Sequence, residues 1–142
     1  MSKQHELKRH CSGGACCSVL AHGGEPILQY LLMLYVDEAG WSGLSEVQQR
    51  QGEAAYAAYA EALGEAGILK GSNRLKSSTA ATTVRIVDGK SQVLDGPYAD
   101  SKEQIGGYFL IDVPNLDAAM SWAARCPAAS HGVVEVRPIW PM

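Results

Sequence analysis

The pattern of apolar and polar positions predicts that the domain starts near residue 27 with a central strand. Residues 27–36 form a nearly continuous apolar run, which is typical of a strand covered on both faces. Residues 37–43 follow as a polar loop with two glycines. Residues 1–26 show neither helical nor strand periodicity, so we expect an N-terminal tail outside a domain that spans residues 27–142.

A long helix is predicted from Ser45 to about Ala66. Ser45 and Gln48 have the spacing of a capping box, and Gly67 followed by an apolar residue is typical of a Schellman ending. One face of this helix is expected to pack on a sheet. The apolar residues that recur on that face are Ala55, Tyr59, Ala62, Leu63 and Ala66.

The second half of the chain adds more strands and a second helix. Asp88 and Gly89 lie between two β-rich segments and predict a type I′ hairpin. Asn115 is placed to cap a helix that ends near Arg125, before Pro127. The predicted strands of this half are residues 81–87, 91–94, 107–113 and 133–139, and residues 68–70 are compatible with a further short strand.

The resulting order is β-α-β-β-β-α-β. Two helices cover only one side of an antiparallel sheet, so this order predicts an α+β sandwich of ferredoxin-like type. The other side of the sheet then needs a partner, and a second copy of the chain is the simplest one. We therefore expect a homodimer.

Composition and charge are those of a soluble single-domain protein. Of the 142 residues 46% are hydrophobic and 19% are charged, and the net charge is −3 with Lys and Arg scattered along the chain. Such a chain has no electrostatic footprint for nucleic acid, and no apolar window is long enough for a membrane span. The basic start of the tail is followed by a run interrupted at Gly13 and Gly14, which is too weak for a signal peptide, so we expect a cytoplasmic protein.

Three of the four cysteines lie in the tail. The tail has two interpretations, a metal site or a segment without a site, and its candidate ligands are Cys11, Cys16, Cys17, His5, His10 and His22. Cys126 is expected to be a small buried residue. No phosphate-binding, nucleophile-elbow or paired-histidine motif is found, so no cofactor is expected.

The stretch from Asp95 to Gly107 concentrates the chemistry of the domain. It holds three carboxylates, one ammonium, one phenol and three glycines between two predicted strands. In the functional interpretation Asp95 is a base or orienting group, and Tyr98 and Lys102 donate to a developing negative charge. Glu103 and Tyr56, on the long helix, are the candidate ligand-binding residues.

The same stretch also has a purely structural interpretation. Asp95, Gly96 and Pro97 are suited to an Asx-type turn. Asp100 with Glu103, or Ser101 with Gln104, can cap one short helical turn. His131 is a lone histidine before the last strand, and we interpret it as a surface residue.

Asp95-Gly96-Pro97-Tyr98 and the residues up to Gln104 resemble the signature of the DGPF-domain proteins, a branch of the YCII-related family in which Phe usually stands at the position of Tyr98. The resemblance extends over roughly residues 29–140. Further matching segments are residues 30–35, 66–69, 81–85, 106–112, 123–127 and 134–139.

The resemblance implies a ferredoxin-like fold that is usually dimeric. It also implies a suspected enzymatic activity, from a His and an Asp that line a pocket, and a link of the DGPF branch to extracytoplasmic-function sigma factors. Tyr56 stands at the position of the family's helix histidine, so a His–Asp mechanism does not carry over. Asp95 carries over as part of the signature, without a role.

Two functions follow from these observations. The first is a small-molecule enzyme or binder with a polar pocket around Asp95, helped by Tyr98, Lys102 and Tyr56. The second is a non-catalytic dimeric module that acts in regulation or protein interaction, associated with a sigma-factor system.

Overall fold

The computed structural model describes residues 27–141 as an α+β domain. A single 3₁₀ turn lies at Ser78–Ala80. The helices and strands are, in chain order, β1 (Leu28–Asp37), α1 (Glu38–Ser42), α2 (Glu46–Glu65), β2 (Leu69–Arg74), β3 (Thr82–Val87), β4 (Lys90–Asp95), β5 (Glu103–Val113), α3 (Leu116–Arg125), α4 (Ala128–His131) and β6 (Val133–Pro138).

Four strands form one antiparallel sheet in the order β2-β5-β1-β6, while β3 and β4 pair only with each other. Setting the β3–β4 hairpin aside, the first and third strands of the sheet are central and the second and fourth lie at its edges. This is the ferredoxin-like arrangement, so the predicted fold class is confirmed.

Burial alternates along β1, as expected for a strand with one face on the core. Leu32 is fully buried on that face, where the Tyr59 ring of α2 meets the Phe109 ring of β5 edge-on at 5.1 Å. Leu31 and Met33, on the other face, remain half-buried, and within residues 27–141 no helix packs on that face. The prediction of a strand covered on both faces is therefore met on one face only.

Helix α2 begins and ends where the sequence predicts. The Ser45 hydroxyl accepts from the Gln48 N–H at 3.2 Å, and the Gln48 side chain accepts from the Ser45 N–H at 3.0 Å. Gly67 adopts φ +72°, and the Ile68 N–H donates to the Leu63 carbonyl at 3.2 Å, which completes the Schellman ending.

The apolar face predicted for α2 is partly wrong. Tyr59 and Leu63 are buried, but Ala55 and Ala66 are exposed, and Tyr56 is half-buried in their place. The large side chains determine which face of the helix turns toward the sheet, because they gain more from burial than alanine does.

Three more local predictions are confirmed. Asp88 and Gly89 have φ angles of +50° and +75°, as the turn between β3 and β4 requires. Asn115 caps α3 by accepting from the Ala118 N–H at 2.8 Å. Cys126, at the end of α3, is a buried free thiol as expected.

Three local predictions are wrong. Residues 38–42 form helix α1 instead of a loop, because the Asp37 carboxylate accepts from the N–H groups of Ala39 and Gly40. Residues 96–102 contain no helical turn. Strand β5 starts four residues before Gly107, at Glu103, with an irregularity at Gly106 that lets the chain continue in the sheet.

Candidate functional site

Asp95 lies at the end of β4, opposite Thr82, and is exposed to solvent. The chain turns at Gly96, which adopts φ +107° and donates its N–H to the Ala81 carbonyl at 2.7 Å. A side chain at this position is strained because this backbone region favours glycine. The chain therefore turns at Gly96, but the predicted Asx-type turn is wrong, because within residues 27–141 no hydrogen bond reaches the Asp95 side chain.

Tyr98 is 79% exposed, and the Arg85 guanidinium of β3 lies 5.6 Å from the centroid of its ring. The loop that follows is held by the Gln104 side-chain amide, which donates to the carbonyls of Ala99 at 2.6 Å and Ser101 at 2.9 Å. Tyr98 is therefore associated with the hairpin, while the later part of the loop is tied to the start of β5.

Lys102 and Glu103 lie beside β1. The Lys102 ammonium is 3.9 Å from the Asp37 carboxylate, and Glu103 is opposite Asp37 in the β1–β5 ladder. Among residues 27–141 no hydrogen bond or ion pair joins Asp95, Tyr98, Lys102 and Glu103 to one another. The structure thus divides the predicted cluster between the hairpin and the sheet.

Tyr56, the remaining predicted residue, makes a different contact. It lies on α2, and its hydroxyl is 3.3 Å from Nε2 of His131, the last residue of α4. The two rings meet edge-on, with centroids 6.3 Å apart and planes at 81°. When Nε2 carries no proton the phenol donates to it, and when Nε2 is protonated the phenol oxygen accepts.

The position of His131 is fixed by the residue that follows it. Gly132 donates its N–H to the Ala128 carbonyl at 2.7 Å, and a Cβ at Gly132 would overlap the Tyr35 carbonyl oxygen. Only glycine allows this close approach of α4 to β1. The tight junction holds the histidine within reach of Tyr56, near the middle of α2.

Burial raises the pKa of the Tyr56 phenol to about 12, and the Cys126 thiolate that forms at alkaline pH adds to this effect. The Arg74 guanidinium acts in the opposite direction but is the smallest of the three causes. Burial also raises the pKa of the Cys126 thiol itself. At neutral pH Tyr56 is therefore a protonated phenol, able to donate a hydrogen bond.

Two oppositely charged side chains, Glu53 on α2 and Arg74 on β2, lie near Tyr56. The Arg74 guanidinium, at the end of β2, is 3.0 Å from the carboxylate of Glu53, which precedes Tyr56 by three positions and so lies on the same side of the helix. The guanidinium also lies 5.1 Å from the centroid of the Trp41 ring. We call Trp41, Glu53, Tyr56, Arg74 and His131 together the α2 cluster.

A shallow groove of about 300 Å³ lies beside α4. Its lining is small and apolar, and the residues next to His131 contribute to it. The lining residues are Ala123, Ala124, Ala129, Gly132, Val133 and Val134. The groove is open to solvent, and no residue of the α2 cluster lines it.

The sequence interpretation of His131 as a surface residue missed its contact with Tyr56. The ring is exposed, as expected, but it lies 75 positions from its partner, so no local motif contains both residues. The one available signal was the resemblance, which marks the position of Tyr56 as a functional position on the helix.

Within residues 27–141 no group of three or more His, Cys, Asp or Glu side chains is arranged to hold a metal ion. The tail residues considered as metal ligands lie outside the described residues. None of the helices in the described part of the chain is both long and apolar enough to cross a membrane.

Residues 28–142 match the family of the YCII-related domain, which is most of the chain. The chain belongs to the YCII-related family. A protein of Rhizobium meliloti (strain 1021), named only as uncharacterized, is 38% identical over 112 residues, which cover 78% of this chain and 90% of that protein. Family membership agrees with the ferredoxin-like fold. The α2 cluster therefore lies in a YCII-related domain, and the name of the relative gives no activity.

Proposed function

We propose that this YCII-related protein is a small-molecule enzyme or binder whose ligand contacts the α2 cluster. The observation that carries the proposal is the 3.3 Å contact between the Tyr56 hydroxyl and His131 Nε2. A phenol and an imidazole in hydrogen-bond contact can pass a proton between them, and a third group that reaches either one can join the transfer.

The two residues have complementary roles in this proposal. Tyr56 is protonated at neutral pH, as tyrosines ordinarily are, and its pKa, raised to about 12, keeps it a hydrogen-bond donor to an oxygen or nitrogen of the ligand at alkaline pH as well. His131 is the exposed partner and accepts or supplies the proton. The pair takes the place of the His–Asp arrangement that the family resemblance implies.

Arg74 adds a cationic group to the same side of the domain. Its guanidinium is paired with Glu53, and both side chains are exposed, so an anionic group on a ligand competes with Glu53 for the same fork of donors. The ring of Trp41 lies against the guanidinium and limits its orientation. We therefore expect a ligand that carries a hydrogen-bond acceptor and an anionic group.

Retention of a compound by the full chain tests this proposal. Native mass spectrometry after exposure to a cell metabolite extract is expected to find a small molecule on the wild type, with occupancy at least tenfold lower in Tyr56→Phe. Tyr35→Phe is the matched control, because it removes the same hydroxyl from the opposite face of the sheet. Equal retention by all three proteins, or retention by none, contradicts the proposal.

The proposed pocket around Asp95 can be tested separately from the α2 cluster. Asp95 is exposed and has no side-chain partner among residues 27–141, so it is free to contact a ligand or another chain. Asp95→Asn in the same retention experiment distinguishes the two locations. If Asp95→Asn loses the compound but Tyr56→Phe retains it, the ligand binds at the Asp95 loop and not at the α2 cluster.

A second candidate function is a homodimeric interaction module, supported by the face of the four-stranded sheet that no helix within residues 27–141 covers. We call this the open face; it carries Leu31, Met33, Tyr35, Tyr108 and Leu110 together with Asp112 and Glu135. Asp112 Oδ1 and Glu135 Oε2 are buried oxygens without a hydrogen-bond partner in the described chain. Such oxygens need donors, which a second copy packed on this face would provide. The DGPF assignment and the sigma-factor link stay predictions of the resemblance.

Sedimentation velocity of the purified protein tests the homodimer. We expect a dimer at micromolar concentration, and a monomer for Leu110→Asp, which places a charge on the open face. Leu116→Asp is the control, because Leu116 is an exposed leucine at the start of α3, on the other side of the sheet. A monomeric wild type, or a Leu110→Asp dimer as tight as the wild type, contradicts this candidate.

A further inference from the structure

The hairpin of β3 and β4, which we call the arm, pairs only with itself. Its six rungs run from Thr82 opposite Asp95 to Val87 opposite Lys90, and neither strand joins the four-stranded sheet. A two-stranded ribbon is marginally stable in water without packing on one of its faces. The arm therefore needs a surface that the described chain does not supply.

One face of the arm carries three exposed β-branched side chains, together with Thr82, Ser91 and Asp95. Val84 and Val93 are directly opposite each other, so they share a face, and Ile86 lies two positions further along on the same face. These three side chains are 62%, 61% and 64% exposed. We call this surface the Val84 face. A contiguous group of exposed β-branched side chains on one face is typical of an interaction site.

The opposite face is more polar. Its residues are Thr83, Arg85, Val87, Lys90, Gln92 and Leu94. The long Arg85 and Lys90 side chains are suited to remain in water while the Val84 face is covered. The two faces of the arm therefore differ in polarity, and the Val84 face is the one that we expect a partner to cover.

We propose that the Val84 face packs against a second copy of the chain, so that each protomer of the homodimer holds its partner with one arm. This inference rests on the homodimer proposed above. In a twofold-symmetric dimer each contact occurs twice. The arm of each protomer therefore packs on the other protomer.

The size of the open face supports a second copy as the occupant. The four strands contain 6, 11, 10 and 6 residues. With strands about 4.8 Å apart and about 3.3 Å per residue, they give a face of about 500 Å². A stable interface takes about 800 Å² from each partner, so the open face alone does not supply all of it.

The arm supplies the difference. Two strands of six residues present about 200 Å² on the Val84 face. By symmetry each protomer also offers a similar area to the arm of its partner. The two contributions together bring the interface to the usual size.

This arrangement also gives Asp95 a neighbour. Asp95 is opposite Thr82 and therefore lies on the Val84 face, two positions from Val93 at the base of the arm. When the arm packs on a second copy, the Asp95 carboxylate lies at the edge of the interface. The partner then forms the second wall of the pocket predicted around Asp95.

The test compares two adjacent substitutions in the full chain. Val93→Glu places a carboxylate on the Val84 face, and Gln92→Glu places the same group on the opposite face. Both sites are exposed, so neither change removes packing within the described chain. Sedimentation velocity is expected to show a dimer Kd at least tenfold higher for Val93→Glu, and within twofold of the wild type for Gln92→Glu.

Hydrogen exchange on the wild type gives a second measurement that needs no variant. The amides of β3 and β4 are expected to exchange at least tenfold more slowly well above the dimer Kd than well below it. Exchange rates that do not depend on protein concentration overturn the proposal.

The outcomes of these experiments distinguish the proposal for the arm from the proposal of the homodimer. A Val93→Glu protein that dimerises like the wild type overturns the arm and leaves the homodimer standing. Equal weakening by Val93→Glu and Gln92→Glu also overturns it, because the effect is then not specific to the Val84 face. A chain that is monomeric at micromolar concentration overturns both proposals.

Discussion

At the residue scale, the site depends on a contact that no local pattern contains. Ser45 and Gln48 are three positions apart, so their capping interaction could be predicted from the sequence. Tyr56 on α2 and His131 at the end of α4 are brought together only by the tertiary fold. This is why the sequence identified Tyr56 through its place in the family pattern but left His131 as a surface residue.

The raised pKa of Tyr56 predicts a loss of stability at alkaline pH. In the unfolded chain Tyr56 loses its proton near pH 10, whereas in the folded protein it keeps the proton up to about pH 12. Between these values the folded state binds more protons, so the free energy of unfolding falls as pH rises. Burial raises the pKa of Tyr59 as well, so both residues act in this direction.

Chemical denaturation of the wild type and of Tyr56→Phe, from about pH 9 to about pH 12, checks this prediction. The variant is expected to lose less stability over this range, and Tyr59 accounts for part of the remaining slope. An identical slope in the two proteins shows that Tyr56 is not shielded from water.

Two glycines of α2 predict opposite effects of the same substitution. A Cβ at Gly52 would lie 2.7 Å from the Trp41 ring, whereas a Cβ at Gly64 meets nothing within 4 Å. Alanine favours a helix by about 0.5–1 kcal/mol over glycine, and overpacking costs about 1–3 kcal/mol. We expect Gly52→Ala to lower the free energy of unfolding by about 1 kcal/mol and Gly64→Ala to raise it by about 0.5 kcal/mol.

Urea denaturation of the two variants and the wild type checks this pair. The Gly52→Ala protein should also show a changed Trp41 environment, because the ring has to move away from α2. If the two variants are equally stable, Trp41 does not pack against Gly52 in solution.

At the scale of elements, the sequence predicts those whose signals are local. Helix α3 begins and ends where the Asn115 cap and Pro127 indicate, and the hairpin turns at Asp88 and Gly89. Helix α1 could not be recognised because its five residues include a glycine and show no apolar periodicity. The apolar face of α2 was misplaced because its many alanines fit several faces equally well.

The Glu38 side chain links α1 to the 3₁₀ turn at Ser78–Ala80, two elements that are far apart along the chain. We expect its removal to lower the free energy of unfolding. Its carboxylate accepts from the Ser78 N–H at 2.7 Å and from the Ser78 hydroxyl at 2.5 Å. Glu38→Ala is expected to cost about 1–2 kcal/mol of unfolding free energy, because two hydrogen bonds to a charged group are lost. The 3₁₀ turn at Ser78–Ala80 should then exchange its amide protons faster.

Glu46→Ala is the matched control for this change. Both residues are the acidic residue in the first turn of a helix, but Glu46 makes only an exposed ion pair at 3.7 Å with Arg50. Its loss is expected to change the unfolding free energy by at most about 0.5 kcal/mol. Equal effects of the two substitutions, measured by urea denaturation, would show that the contact with Ser78 does not stabilise the fold.

At the scale of the whole molecule, the ferredoxin-like topology follows from the order of the elements, and the sequence predicts it. The sequence could not predict that residues 95–103 are divided between the arm and the sheet, because closeness along the chain does not fix closeness in space. The α2 cluster is the reverse case: its five residues come from four separate elements, α1, α2, β2 and α4. We propose that a second copy of the chain covers both the open face and the arm.

The most direct test of this account is to locate the bound compound. Isotopically labelled protein would be titrated with the compound that native mass spectrometry finds on the wild type, and the amide shifts followed by NMR. The account predicts that the largest shifts lie in the middle of α2 and around α4, centred on Tyr56 and His131. Largest shifts in the loop from Asp95 to Glu103, with Tyr56 and His131 unchanged, would contradict it.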